Sequence, residues 1–364
     1  MPQYSQMGMT TTKKINLSHL YRMTDSVGIL EHSLMATPDL KEGYCVDDNA
    51  RALRVALRLK DEKLIDTYLK FLVSAAGNNG FKNDLDQSFV WQTEEYGENF
   101  GRAMGALAET GKMGIRNDQK LTGMFLFDQN VKHITKSESL RSKAWLIYGL
   151  SIRSWCDPKL ELELERYLKV KISQNKIEPI NKFGLKNLTK KLANDLVISY
   201  NKSSDTSWHW FENEITYDNA RLSWALFWAY TFLGDTKYLE IAKESLDFLL
   251  EQIYDKKLDC FSFVGYRGWM TKGGKKALYG QQPIEAGSTI EVCNLAYQIT
   301  KDKKYQDFAL KALEWYHGKN ILAENMVNQE SGGIYDGLEK EGVNLNQGAE
   351  SLLSYLLASL VLNN

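Results

Sequence analysis

Six stretches of the chain are apolar on nearly every helical face and rich in Ala and Gly: NARALRVALRL (49–59), NFGRAMGALAET (99–110), SLRSKAWLIYGLSIRSW (139–155), DNARLSWALFWAYTFLG (218–234), STIEVCNLAYQIT (288–300) and QGAESLLSYLLASLVL (347–362). A helix without a wet face is packed on several sides. Between these lie more polar segments with a single apolar stripe: EKLIDTYLKFLVSAA (62–76), LELERYLKVKISQN (162–175), KYLEIAKESLDFLLEQIY (237–254) and KKYQDFALKALEWYHG (303–318). That spacing predicts surface helices. A buried helix therefore alternates with a surface helix about six times. Alternating period-2 runs are scarce, and the five prolines leave long helices uninterrupted.

The buried segments resemble one another. DNAR occurs at 48–51 and again at 218–221, and aligning Arg51, Arg102 and Arg221 gives DDNARAL, ENFGRAM and YDNARLS, with Lys143 in the same slot of RSKAW. Helical hairpins that cannot bury an inner face alone must stack or close on themselves. The repeat spacing here is unequal, as expected of insertions at a functional rim. The expected fold is all-α: a single (α/α)6 toroid of six hairpins, with the site at the mouth formed by the inner-helix N-termini. No Pro-, Gly- or Ser-rich linker divides the chain, so residues 20–364 are expected to form the barrel domain and residues 1–19 an N-terminal extension. The Lys-rich 171–205 region reads as a further helix pair or an insertion.

Composition narrows the function. The 364 residues carry a formal net charge of −1, so neither nucleic acid nor an anionic membrane is an expected partner. Cys45, Cys156, Cys260 and Cys293 are far apart, with no metal-ligand spacing, which fits free thiols in a reducing compartment. No signal-peptide core is visible, nor any run near the roughly 18 apolar residues of a membrane span. A cytoplasmic location is expected. No cofactor motif appears: there is no GxGxxG or phosphate loop, and the five scattered histidines do not suggest a metal site.

Acids cluster where the buried helices begin: Asp47 and Asp48, Glu94, Glu95 and Glu98, Glu212, Glu214 and Asp218, and Glu285. Singly, each could be an N-cap. Together they converge with Asn49, Asn219, Gln281, Gln282 and the Trp-rich loops carrying Trp91, Trp208, His209, Trp210 and Trp269. Sugars suit this mixture, since their C–H faces pack on aromatic rings and their hydroxyls pair with Asp, Asn, Gln and Arg. Glycoside cleavage needs two carboxyls flanking the bond, about 6.5–9.5 Å apart for inversion and about 5 Å for retention. Candidates for that pair are Asp48, Glu98, Glu212, Asp218 and Glu285. In a six-hairpin ring the two DNAR copies would face each other across the pore. Asp47, Asn49, Arg51, Arg102 and Arg221 join the amides and aromatics above as candidate substrate-binding residues.

The stretches TDSVGILEHSLMATPDLKEGYCVDDNARAL, ENFGRAMGAL, WFENEITYDNARL, QQPIEAGST and NQGAESLLSYLLA resemble the (α/α)6 modules found in bacterial and archaeal carbohydrate metabolism, within the six-hairpin glycosidase superfamily. Some of those modules are joined to a glycosyltransferase domain. The resemblance implies a glycan-directed site with roles for Asp47, Asp48, Asn49, Arg51, Arg102, Glu212, Asp218, Asn219, Gln282 and Glu285. Where the family pattern implies an acid pair before Gly-Arg, this chain has Glu98 and Asn99, which favours Glu98. No nucleotide-sugar-binding half is seen, so a transferase activity is not expected. The leading reading is an inverting glycoside hydrolase acting on short oligosaccharides. The alternatives are a sugar phosphorylase or epimerase on the same fold, or a non-catalytic sugar-binding module that partners a glycosyltransferase.

Overall fold

The structure, a computed structural model, describes residues 15–78, 80–92, 94–171 and 180–363. Most of the expected N-terminal extension therefore lies outside the described residues. Thirteen α-helices occur among them: α1 (Ser18–Met23), α2 (Val46–Leu59), α3 (Glu62–Ala75), α4 (Glu98–Met113), α5 (Asn117–Asn130), α6 (Leu140–Arg153), α7 (Pro158–Lys171), α8 (Lys182–Ser203), α9 (Ala220–Leu233), α10 (Thr236–Ile253), α11 (Pro283–Thr300), α12 (Lys303–Tyr316) and α13 (Ala349–Leu362).

The six all-round apolar segments become α2, α4, α6, α9, α11 and α13. Each packs on the next, and α13 returns to α2, so the ring closes. The toroid expected from the sequence is the fold observed. Glycines let the inner helices approach: a Cβ on Gly101 of α4 would sit 2.7 Å from the Ser142 carbonyl oxygen of α6, and one on Gly287 of α11 would sit 2.9 Å from that of Ser354 on α13. Outer helices α1, α3, α5, α8, α10 and α12 surround this ring. Side-chain caps from Asp61, Asn181, Asp235 and Asp302 start four of them, satisfying N–H groups that the helix itself leaves open.

Two surface elements differ from the expectation. The 162–175 segment supplies α7, which packs on α5 and is not the outer partner of an inner helix; residues beyond 171 on this segment lie outside the described residues. That outer place belongs to α8, within the polar region read as a helix pair or an insertion. Its buried residues Leu185, Thr189, Leu192, Ala193, Leu196, Tyr200 and Ser203 recur every three or four positions, a stripe thin enough to be obscured by lysines. Helix α5 (NDQKLTGMFLFDQN) spreads its apolar residues around the axis and shows no periodic stripe.

Successive outer and inner helices run antiparallel, so all six inner N-termini meet at one end. The connections there carry short antiparallel pairs, among them Tyr44–Cys45 with Asp84–Leu85, Glu214–Ile215 with Met270–Thr271, and Gly337–Glu339 with Gly342–Asn344. Among the described residues no helix is long and apolar enough to cross a membrane.

Candidate active site at the mouth of the barrel

The site is built on the first turns of α2 and α13. Asn49, 0% exposed, turns its amide outward: Oδ1 accepts from the Ile29 N–H at 3.0 Å, and Nδ2 donates to the carbonyls of Ile29 and Cys45. The Ala349 N–H, opening α13, donates to the Glu31 carbonyl at 3.0 Å. Residues 29–31 are thus clamped between two inner helices, and the Glu31 side chain overhangs a cleft of about 400 Å³. Carboxyls dominate its wall: Glu31, Asp47, Asp48, Asp84, Asp336, Glu339 and Glu350, with Arg51, His32, Gln282 and Tyr266 among them.

Two guanidiniums organise these acids. Arg51 donates to Asp48 Oδ1 and to Glu350 Oε2, each at 2.7 Å, and to the Tyr217 hydroxyl at 3.0 Å. Arg102 reaches Asp47 Oδ2 at 2.7 Å, Glu98 at 3.0 Å, the Tyr217 hydroxyl at 3.1 Å and Asp218 at 3.4 Å. Both arginines are nearly inaccessible, and buried guanidiniums persist only when their donors are paired in this way.

The carboxyls differ in protonation. Burial, then the negative charges of Asp48, Asp84 and Asp47, push Glu31 up to about 8 against the opposing pull of Arg51. Burial lifts Asp48 to about 6, with Arg51 pulling it down and Glu350 and Asp47 pushing it up. Glu31, Cys45 and Asp48 offer ligand atoms within 4.8 Å of one another, the one such three-residue group among the described residues. Burial drives the Cys45 thiol well above its ordinary value, so at neutral pH both Cys45 and Glu31 hold protons that a metal would have to displace. Cys45 Sγ donates to Asp48 Oδ2 at 3.4 Å.

Across the axis, the second DNAR copy forms a different device. Asp218 is a non-glycine residue with φ of 44°, a left-handed conformation that costs about 1–3 kcal/mol. Glu285 holds it: the carboxylate accepts from the Asp218 N–H at 2.5 Å, the Asn219 N–H at 3.4 Å and Asn219 Nδ2 at 3.0 Å. Burial and the Asp218 charge raise Glu285 to about 7. For Asp218 itself burial pushes upward, but Arg221, Arg102, Arg51 and Arg141 outweigh it and hold the carboxyl below its ordinary range. Beneath lies an ionic floor: Glu291 pairs with Arg221 at 2.7 Å and Arg54 at 2.9 Å, and Arg54 also pairs with Glu109 at 2.7 Å. Trp145 lies under both guanidiniums, 4.7 Å from Arg54 and 4.4 Å from Arg221.

Of the residues singled out from the sequence, Asp47, Asp48, Arg51 and Gln282 line the cleft. The others take different places. Asp218 and Glu285 are enclosed in the strained turn and do not line the cleft. Glu98 is held on Arg102, and Glu212 on Arg141 at 3.0 Å. Asn49 and Asn219 are backbone clamps, Arg102 orients Asp47, and Arg221 belongs to the floor. Gln281 is buried, accepting from the Phe263 N–H and Trp315 Nε1.

The aromatic expectation needs the most correction. Trp208 and Trp210 are buried, with Trp208 packed on Phe248 of α10. His209 lies 3.1 Å from Glu244 on the same outer helix. Trp91 packs on Phe71 of α3. Trp269 forms the 265–277 turn, bonded to Gly265 and Ala277. Trp91, Trp208 and His209 thus pack loops onto outer helices. The side chains of Glu94 and Glu95 lie outside the described residues.

Sequence reasoning passed over Glu31, Tyr217 and Glu350. Glu350 carried a usable signal, an acid opening the sixth buried helix just as Asp48 opens the first. Glu31 lies in a quoted stretch but in no helix, and Tyr217 gave no sign beyond preceding the second DNAR.

No protein-family model matches the sequence, and no curated protein matches it. Solved structures do. Cellobiose 2-epimerase from Bacillus thermoamylovorans superposes with a TM-score of 0.68 at 13% identity over 95% of both chains. A D-mannose isomerase superposes with 0.64 at 11% identity over 94% of both. A glycoside hydrolase family 76 mannosidase from Bacteroides thetaiotaomicron superposes with 0.58 at 12% identity over 95% of both. At these identities the likeness establishes the shared (α/α)6 architecture.

Proposed function

We propose that the protein is a glycoside hydrolase acting on short, uncharged oligosaccharides, with Glu31 as proton donor and Glu350, held by Arg51 and Tyr217, as the second carboxyl. One observation carries the reading: a carboxyl that keeps its proton near neutrality, Glu31 at about 8, shares a cleft with a carboxylate held by Arg51 and the Tyr217 hydroxyl. Acetal cleavage requires two carboxyls in one cleft, one of them with a proton to give. Glu31 gives its proton to the glycosidic oxygen as the bond to the anomeric carbon breaks, and the bonding electrons leave with that oxygen. Glu350 stabilises the positive charge at the anomeric carbon and either activates water or bonds to it. Asp48 beneath Glu31 keeps the donor protonated. The half-exposed Tyr266 ring offers a stacking face for the sugar.

Phosphorolysis fits less well. Arg51 is saturated by Asp48 and Glu350, Arg221 is sunk in the floor, and Arg267 pairs with Glu339 at 3.1 Å, while the carboxyl wall repels an anion. Epimerisation through a histidine pair finds one histidine on this wall, His32.

The test is a panel of di- and trisaccharides, with and without phosphate, read by chromatography and by NMR of the first anomer released. Free sugars independent of phosphate are expected. Glu31→Gln should lower kcat by about 10²–10⁴, and much less for an aryl glycoside whose leaving group needs no proton. Sugar phosphate formed only with phosphate present would establish a phosphorylase instead. Sugar-induced thermal stabilisation without turnover would make the chain a binding module.

A further inference from the structure

We infer that Tyr217 is a positioning residue for Glu350, delivered to the barrel axis by the strained turn at Asp218. The inference rests on the hydrolase reading.

Its hydroxyl is the branch point of the mouth. It accepts from Arg51 of α2 at 3.0 Å and from Arg102 of α4 at 3.1 Å, and it donates to Glu350 Oε2 of α13 at 2.7 Å. One phenol from the loop before α9 thus ties three other inner helices together across the pore. With two guanidinium donors on its oxygen, its proton has one acceptor, the Glu350 carboxylate. That fixes the oxygen on which Glu350 is held and leaves the other, Oε1, for the cleft.

The backbone explains how Tyr217 gets there. It precedes Asp218, whose positive φ reverses the chain where α9 begins. Glu285 binds both N–H groups after the tyrosine, and the Arg141 guanidinium binds its carbonyl oxygen and Thr216 Oγ1. A strained residue over-determined from two neighbouring helices marks a conformation the site needs. This gives the second DNAR motif its role: it supplies a strap, where the first supplies an acid of the cleft.

The Tyr217 hydroxyl and Arg51 hold the Glu350 carboxyl by one oxygen in a single orientation. Removing the hydroxyl should let that carboxyl turn, which lowers kcat while substrate binding stays.

The experiment compares wild type with Tyr217→Phe, which keeps the ring over Arg102, 5.7 Å from its centroid. The expected result is a kcat lowered about 10-fold or more with KM little changed. A lowered Tm with kcat unchanged, or kcat and KM changed together, gives Tyr217 a structural role and overturns the inference alone. Wild-type protein that turns over no glycoside overturns the hydrolase reading and this inference with it.

Discussion

Replacing Asp48 by asparagine tests how the proton donor is kept protonated. In the wild type, burial raises Glu31 first and the Asp48 charge second, to about 8 in all. Their oxygens lie within 4.8 Å, where two unit charges repel by about 3 kcal/mol at an effective dielectric near 20. The cleft is open on one side, and solvent screening reduces this to about 1.5–2 kcal/mol, or about one pH unit. The amide of Asp48→Asn keeps the shape and one acceptor, and Arg51 retains Glu350 and Tyr217. The donor must be protonated, so activity falls as pH rises through its pKa. A lower pKa brings that fall earlier. The basic limb of kcat/KM should move from about 8 to about 7, and stop there, because burial still raises Glu31. A limb that stays or rises would refute the Glu31–Asp48 coupling. Full activity with an unchanged profile would remove Asp48 from the mechanism.

Two further outcomes probe the frame. Glu285 titrates at about 7 in the folded state against an ordinary 4.5, so the stability it contributes is complete below about 4.5 and lost as pH rises through 7, up to about 3 kcal/mol. Urea unfolding of Glu285→Gln between pH 5 and 8 should show a flatter decline than wild type, and an identical slope would refute the assignment. Gly101→Ala sets helix propensity, about 1 kcal/mol in favour of Ala, against a Cβ 2.7 Å from the Ser142 carbonyl. The clash is with backbone, so a net loss of about 1–3 kcal/mol is expected; a raised Tm would mean that α4 and α6 are not in such close contact.

The sequence by itself determined the ring. A segment apolar on every face and rich in Ala and Gly can only be buried among other helices, and all six such segments became inner helices. It also determined that acids and arginines gather where those helices begin, since 3.6-residue spacing places Asp48 and Arg51 one turn apart on α2 and the second DNAR brings Arg221 into the first turn of α9. What that spacing cannot fix is which acid faces a partner from another hairpin. Arg51 meets Tyr217 and Glu350 from residues 166 and 299 positions away, and those meetings exist only after the toroid closes. Glu31 enters the cleft through a coil segment clamped by Asn49 and Ala349, with no periodicity of its own to reveal it. Asp218 left the cleft because its backbone turns left-handed against Glu285, which no side-chain pattern encodes. The tryptophans looked like sugar platforms because the sequence shows loop membership but not direction, and tertiary packing turned Trp91 and Trp208 toward the outer helices. Helical periodicity is a property of one segment and is legible along the chain. A cleft joins several segments, and only their packing decided which carboxyls share it and which of them keeps its proton.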